Sequence, residues 1–70
     1  METFIKLTGI NGDVYVDAGY VMAVEGGAVV DDGQGAIALT AVYTGKHRVH
    51  VRETAEEVMG KMGDALKLYE

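Results

Sequence analysis

Basic side chains cluster in one short stretch of this acidic chain. Lys46, Arg48, His50 and Arg52 fall within seven residues, although the chain as a whole carries a net charge of −5. Side chains alternate along a strand, so Arg48, His50 and Arg52 are expected on one face, with Lys6 on the outward face of a strand that could lie beside it. Such a row could bind a carboxylate, a phosphate or an acidic partner. The alternative is a solvated face, or a strand edge guarded by charge.

Two adjacent carboxylates provide a second candidate site. Asp31 and Asp32 lie within residues 26–35, where four of the ten residues are glycine. The acidic surface could occupy a basic channel of a partner. The surrounding residues lack the EF-hand pattern for Ca²⁺, and their glycines are not followed by the Gly-Lys-Ser/Thr of a phosphate-binding loop.

The small number of reactive side-chain types argues against catalysis. The chain has no serine, cysteine or tryptophan, which removes most common nucleophilic constellations. His47 and His50 are three residues apart on a predicted strand and therefore point to opposite faces, so they cannot chelate one metal ion together. We predict a protein that is not an enzyme, with no catalytic residue, no metal and no cofactor.

Size and charge restrict the function further. Seventy residues make one domain, residues 1–70, with a marginal core that oligomerisation would support. A net charge of −5 disfavours direct binding of nucleic acid. No apolar run approaches a membrane span, and residues 1–7 do not resemble a signal peptide. We therefore expect a cytoplasmic homo-oligomer without a membrane role.

The apolar pattern predicts five strands and one helix. The Asn11-Gly12 pair between two alternating runs is typical of a hairpin with a type I′ turn. Residues 17–19 should form a tight turn, and residues 26–35 a loop or an irregular hairpin tip. The predicted strands cover residues 3–8, 13–17, 20–25, 36–43 and 47–52.

The C-terminal segment predicts an amphipathic helix over residues 55–68. Thr54 and Glu57 have the spacing of a capping box. An apolar stripe with a spacing of three to four residues should face the core: Ala55, Val58, Met59, Met62, Ala65, Leu66 and Tyr69. The expected fold is α+β: a small antiparallel sheet of four or five strands, open or barrel-like, with this helix packed across one face.

The order of these motifs resembles the flagellar FlbD/SwrD family and similar short phage proteins. The resemblance implies a β-rich module that ends in a helix and has no known chemistry, with a motility role in flagellar relatives. The chain differs from the family in its longer segment 26–35 and in having Thr44-Gly45-Lys46 where the family has a lysine-rich hairpin. The matching residues are Phe4-Ile5-Lys6-Leu7-Thr8, Ile10-Asn11-Gly12, Val14-Tyr15-Val16, Val21 to Glu25, Val49-His50-Val51-Arg52-Glu53-Thr54 and Glu56-Glu57-Val58.

Two functions remain open from the sequence. The first is a small non-catalytic binding protein of phage or prophage type, acting in the host cytoplasm. It would block or sequester a host component such as a defence factor, through its acidic surface or by trapping a small anionic ligand. Its partner would be a protein or that ligand. The second is a flagellar motility accessory factor, as the resemblance to FlbD/SwrD implies.

Overall fold

The computed structural model describes residues 3–31 and 33–67, and their architecture confirms an α+β chain with antiparallel strands and a C-terminal helix. A short 3₁₀ turn, Ala18–Tyr20, replaces the tight turn predicted at residues 17–19. The elements in this part of the chain are β1 Phe4–Thr8, β2 Asp13–Asp17, β3 Val21–Asp31, β4 Ala36–Thr44, β5 His47–Val51 and α1 Ala55–Leu66.

The strands form two sheets instead of one. β1 pairs with β2, while β3, β4 and β5 form a separate antiparallel sheet in that order, so the barrel-like alternative does not close. Backbone hydrogen bonds join the sheets at one corner, where Gly9 bridges to Val51 and the Arg52 N–H donates to the Thr8 carbonyl at 2.7 Å. Sequence alternation specifies the face of each strand but not the strand beside it, which is why a single sheet was the wrong prediction.

The core lies where the β1–β2 hairpin covers the larger sheet. Leu7 of β1, Val42 of β4, Val51 of β5 and Val58 of α1 are completely buried. Alternation predicts Ile5 and Leu7 on one face of β1; both are buried, and Val16 joins them from β2. Burial of these apolar side chains in one shared core therefore holds the N-terminal hairpin, the three-stranded sheet and α1 together.

The hairpin signal was correct, but the turn type was not. β1 and β2 pair from Phe4 and Asp17 to Thr8 and Asp13, which leaves residues 9–12 as the connection. A type I′ turn needs a positive φ at both central residues. Gly12 has a positive φ but Asn11 does not, so the turn is not type I′. The Gly9 N–H donates instead to the Gly12 carbonyl at 2.7 Å, and a Cβ at Gly9 would lie 2.7 Å from Cγ2 of Val14.

Residues 26–35 were predicted as a loop or an irregular hairpin tip. The loop was wrong for the first six residues, and the irregular hairpin is confirmed. β3 continues to Asp31, and its distal part pairs with β4. A register shift between Glu25 and Ala28 accommodates the glycines, with Gly27 at φ 74°. We call residues 28–31 and 36–39 the arm. The fold measures 42 × 19 × 19 Å, so it is elongated.

The start of α1 confirms the predicted capping box. The Thr54 hydroxyl accepts a hydrogen bond from the Glu57 N–H at 3.1 Å, and the Glu57 carboxylate accepts one from the Thr54 N–H at 2.9 Å. Val58 and Met62 face the core as expected, but Met59 is 53% exposed. The buried stripe is therefore narrower than the sequence suggested. Leu68 of the predicted helix and Tyr69 of the predicted stripe lie outside the described residues.

Candidate functional site

Two of the predicted basic side chains line a groove across the three-stranded sheet. Arg48 stands opposite Tyr43 in the β4–β5 ladder, and His50 stands opposite Ala41. Strand alternation therefore places Arg48 and His50 on one face, as predicted, and His47 on the other. The groove has a volume of ≈ 580 Å³. We call it the mixed-charge groove; it is lined by Glu25, Gly27, Ala28, Val29, Val30, Asp31, Ala41, Tyr43, Arg48 and His50.

Opposite charges face each other across the mixed-charge groove. Arg48 and His50 come from β5, whereas Glu25 and Asp31 come from β3. Glu25 and His50 both stand opposite Ala41 of β4, so they are separated by two strand spacings, or about 10 Å. Asp31 stands opposite Ala36, five residues or about 17 Å farther along β4, at the far end of the groove. The Tyr43 hydroxyl donates to the Glu25 carboxylate at 3.1 Å, which fixes the phenol ring over the middle strand.

The sequence predicted Asp31 and the basic residues as separate sites. In the structure Asp31 lines the far end of the same groove as Arg48 and His50. This happens because β3 extends beyond residue 25 and its distal part pairs with β4, so that Asp31 stands opposite Ala36. That position lies on the alternate face of the sheet from Arg48 and His50. The Asp31 carboxylate accepts a hydrogen bond from the Gly33 N–H at 2.9 Å, which holds the start of the connection to β4. Asp32 lies outside the described residues.

The other three predicted basic residues do not join the groove. Arg52 follows the end of β5, and its side chain lines a separate pocket beside Leu39 and Thr54. Lys46 lies in the turn between β4 and β5 and is not among the groove residues. Lys6 belongs to the other sheet, where its ammonium lies 3.6 Å from the Asp13 carboxylate. The predicted row of Arg48, His50 and Arg52 does not extend to Lys6, because β1 does not pair along β5.

A second groove was not predicted from the sequence. It has a volume of ≈ 570 Å³ and lies between β2, the 3₁₀ turn and the β4–β5 turn. The apolar run over residues 20–24 was its only sequence signal, and Met22 is indeed 75% exposed. We call it the apolar groove; its lining includes Val14, Val16, Tyr20, Val21, Met22, His47 and Val49.

Glu53 links the N-terminal hairpin to the beginning of α1. Its two carboxylate oxygens accept the Thr8 N–H at 2.9 and 3.0 Å, and one of them also accepts the Thr8 hydroxyl at 3.1 Å. Burial by itself raises the pKa of Glu53. The hydrogen bonds from Thr8 and from its own N–H, together with the charge of Lys61, outweigh that effect and leave the pKa below its ordinary value. The contact stabilises the fold and lies outside both grooves.

The described residues offer no metal centre and no membrane helix. Within residues 3–31 and 33–67, no three His, Asp or Glu side chains are grouped closely enough to hold a metal ion. No helix in the same part of the chain has the length and apolar character needed to cross a bilayer.

The comparisons with known proteins gave no match. Neither protein-family models, nor curated proteins, nor solved structures match this chain. The resemblance to FlbD/SwrD therefore stays a prediction from the sequence.

Proposed function

We propose that this chain is a non-catalytic binding protein that holds a small phosphate-bearing ligand in the mixed-charge groove. The observation that carries the proposal is the placement of Arg48 and His50 along one side of this groove, with Glu25 and Asp31 along the other. A guanidinium binds phosphate oxygens through paired hydrogen bonds, and a histidine beside it adds a further donor.

The acidic side of the groove restricts the class of ligand. A simple polyanion would be repelled by Glu25 and Asp31, and by the net charge of −5. A ligand with a phosphate at one end and hydroxyl or amino donors at the other satisfies both sides. The Tyr43 ring between them offers an aromatic face for stacking. These features favour a nucleoside phosphate over a nucleic-acid strand.

The lack of strong nucleophiles supports binding without reaction. Tyr43 supplies the only hydroxyl among the groove residues, and that hydroxyl donates to Glu25. With neither serine nor cysteine in the chain, a bound ligand would be held unchanged. Such a protein lowers the free concentration of its ligand. We propose that it does so as a phage or prophage protein that sequesters a nucleotide signal of host defence in the host cytoplasm.

Calorimetric titration with nucleoside monophosphates, diphosphates and cyclic dinucleotides tests this proposal. We expect at least one of these ligands to bind, and Arg48→Ala to weaken its affinity about 10- to 100-fold, since hydrogen bonds to a charged group contribute about 1.5–3 kcal/mol. Lys61→Ala is the matched control, because Lys61 is an exposed cation on α1 outside the groove.

Three results would count against the proposal. The first is that none of these ligands binds, and the second is that Arg48→Ala and Lys61→Ala reduce affinity equally. The third is that chromatography of the recovered ligand shows a new product, which would make the protein an enzyme. If binding instead requires a host protein, neutralising Asp31 should weaken that complex at low salt, which would favour blocking by the acidic surface.

A flagellar accessory role is the second candidate, and the residues that resemble FlbD/SwrD support it. The β1–β2 hairpin and the Thr54–Glu57 capping box belong to those matching segments. Adjacent hook or motor genes, together with loss of swimming on deletion, would favour this role. Adjacent phage structural genes would favour sequestration instead.

A further inference from the structure

β3 is an exposed edge strand for much of its length. It is the first strand of the order β3-β4-β5, so its other side is paired with no strand in the described part of the chain. Val29 in the arm is 74% exposed although it is β-branched and apolar. A two-stranded ribbon with apolar exposed residues is marginally stable in water, and an unpaired edge is a template for another strand.

The accessible surface is larger than expected for a monomer of this mass. A folded monomer of 7.5 kDa exposes about 4,250 Å² by the usual scaling. This chain exposes 4849 Å², an excess of roughly 600 Å². A stable protein interface covers about 800 Å² on each partner. The excess belongs to the whole elongated chain, 42 × 19 × 19 Å, and pairing along the arm edge would cover part of it.

We propose that a second copy of this chain pairs with the arm edge of β3. The two copies of β3 run antiparallel around a two-fold axis and join the sheets into one of six strands. Each copy presents the same segment to the other, so the contact closes as a dimer and does not propagate into a fibre.

The position of the axis follows from the strand itself. The regular part of the edge lies between the irregularity at Gly27 and the end of β3 at Asp31. In an antiparallel pair, directly opposite side chains lie on the same side of the sheet. A two-fold axis between two identical strands must therefore pass through one residue and its copy, and the middle of the regular edge offers Val29 or Val30. An axis at Val29 separates the two Asp31 residues by about 14 Å along the strands, whereas an axis at Val30 leaves about 7 Å. Electrostatic repulsion therefore selects Val29.

The irregularity also limits the pairing. A register shift bends a strand and interrupts its hydrogen-bonding edge. The shift between Glu25 and Ala28 ends the regular edge on the core side. Because Ala28 and Val30 line the mixed-charge groove, the two-fold axis brings the two grooves together on one face of the joined sheet. That last consequence rests on the proposed function, whereas the dimer does not.

Sedimentation velocity without ligand tests the dimer. We expect the unmodified chain to sediment at twice its mass of 7.5 kDa at micromolar concentration. Val29→Lys should weaken dimerisation at least 100-fold, since it places two ammonium groups at the axis. Met22→Lys is the matched control: Met22 lies on the same strand and is 75% exposed against 74% for Val29, so it should leave the dimer intact.

A second variant keeps the proposal testable if Val29→Lys disturbs folding. Under mild oxidation Val29→Cys should form a disulfide between copies, because the two side chains meet at the axis, whereas Met22→Cys should remain monomeric in denaturing electrophoresis. A monomeric unmodified chain would overturn the proposal. An assembly that both lysine variants weaken equally, or no cross-link at Val29, would also overturn it. A dimer that binds no nucleotide would sustain this inference while refuting the proposed function.

Discussion

Replacing Glu53 by alanine should destabilise the fold by removing a contact between its N-terminal and C-terminal parts. In the unmodified chain the Thr8 N–H donates to the two Glu53 carboxylate oxygens at 2.9 and 3.0 Å. The substitution leaves this N–H without its carboxylate acceptor. The Thr8 hydroxyl loses its partner as well. The helix loses a negative charge just before its first turn, where the helix dipole favours one.

The expected loss is about 1.5–2 kcal/mol. Hydrogen bonds to a charged group contribute about 1.5–3 kcal/mol, and the lower part of that range applies because water reaches this contact. Glu56→Ala is the matched control, since Glu56 carries the same charge in the first turn of α1 but has no contact with Thr8 among the described hydrogen bonds. Its loss should be about 0.5 kcal/mol, from the helix dipole alone. The difference of about 1–1.5 kcal/mol corresponds to roughly 4–12 °C in Tm.

Urea denaturation of the two variants at neutral pH measures this difference. The pKa of Glu53 is lowered in the folded state from its ordinary value of 4.5, so the contribution is complete above that value and is lost as the pH falls through the lower, folded-state pKa. The advantage of the unmodified chain over Glu53→Gln should therefore shrink as the pH falls below 4.5 and through the lower, folded-state pKa. If Glu53→Ala and Glu56→Ala unfold at the same urea concentration, the Thr8 contact contributes nothing and the reasoning fails.

Three further predictions concern the core and the two ends of α1. Leu7→Ala should lower the free energy of unfolding by about 2–5 kcal/mol, and the exposed Phe4→Ala on the same strand should change it much less; equal losses in calorimetry would contradict the assigned core. Thr54→Ala should lower stability by about 1 kcal/mol in urea denaturation, because the Glu57 N–H loses its acceptor; an unchanged midpoint would contradict the capping box. Lys67→Gly should raise Tm by a few degrees, since Lys67 has φ 55°, which is unfavourable for a side chain; a lower Tm would refute this conformation.

Local features of the fold could be predicted from the sequence. The inward face of β1 depends only on alternation, and the capping box depends on Thr54 and Glu57, which are three residues apart. β2 occupies residues 13–17, as predicted. The extension of β3 could not be predicted in the same way, because Val29 and Val30 become strand residues only through pairing with Ala38 and Ile37. Local glycine content favoured a loop, and the distant partner strand outweighed it.

The candidate site was only partly predictable for the same reason. Arg48 and His50 share a face because they are two residues apart on one strand. That Asp31 lines the same groove depends on the order of three strands and the length of β3, which the sequence pattern does not specify. Lys6 was placed near them on the assumption of one continuous sheet. It lies instead beside Asp13 on the smaller sheet.

The single corner between the two sheets has a consequence for the apolar groove. Backbone hydrogen bonding joins the sheets where Thr8 and Gly9 meet Val51 and Arg52. The groove opens elsewhere, between β2 and the β4–β5 turn. A small rotation of the hairpin about this corner would change the width of the opening while both ladders stay intact. The packing of the completely buried Leu7 and the hydrogen bonds from Thr8 to Glu53 would resist such a rotation.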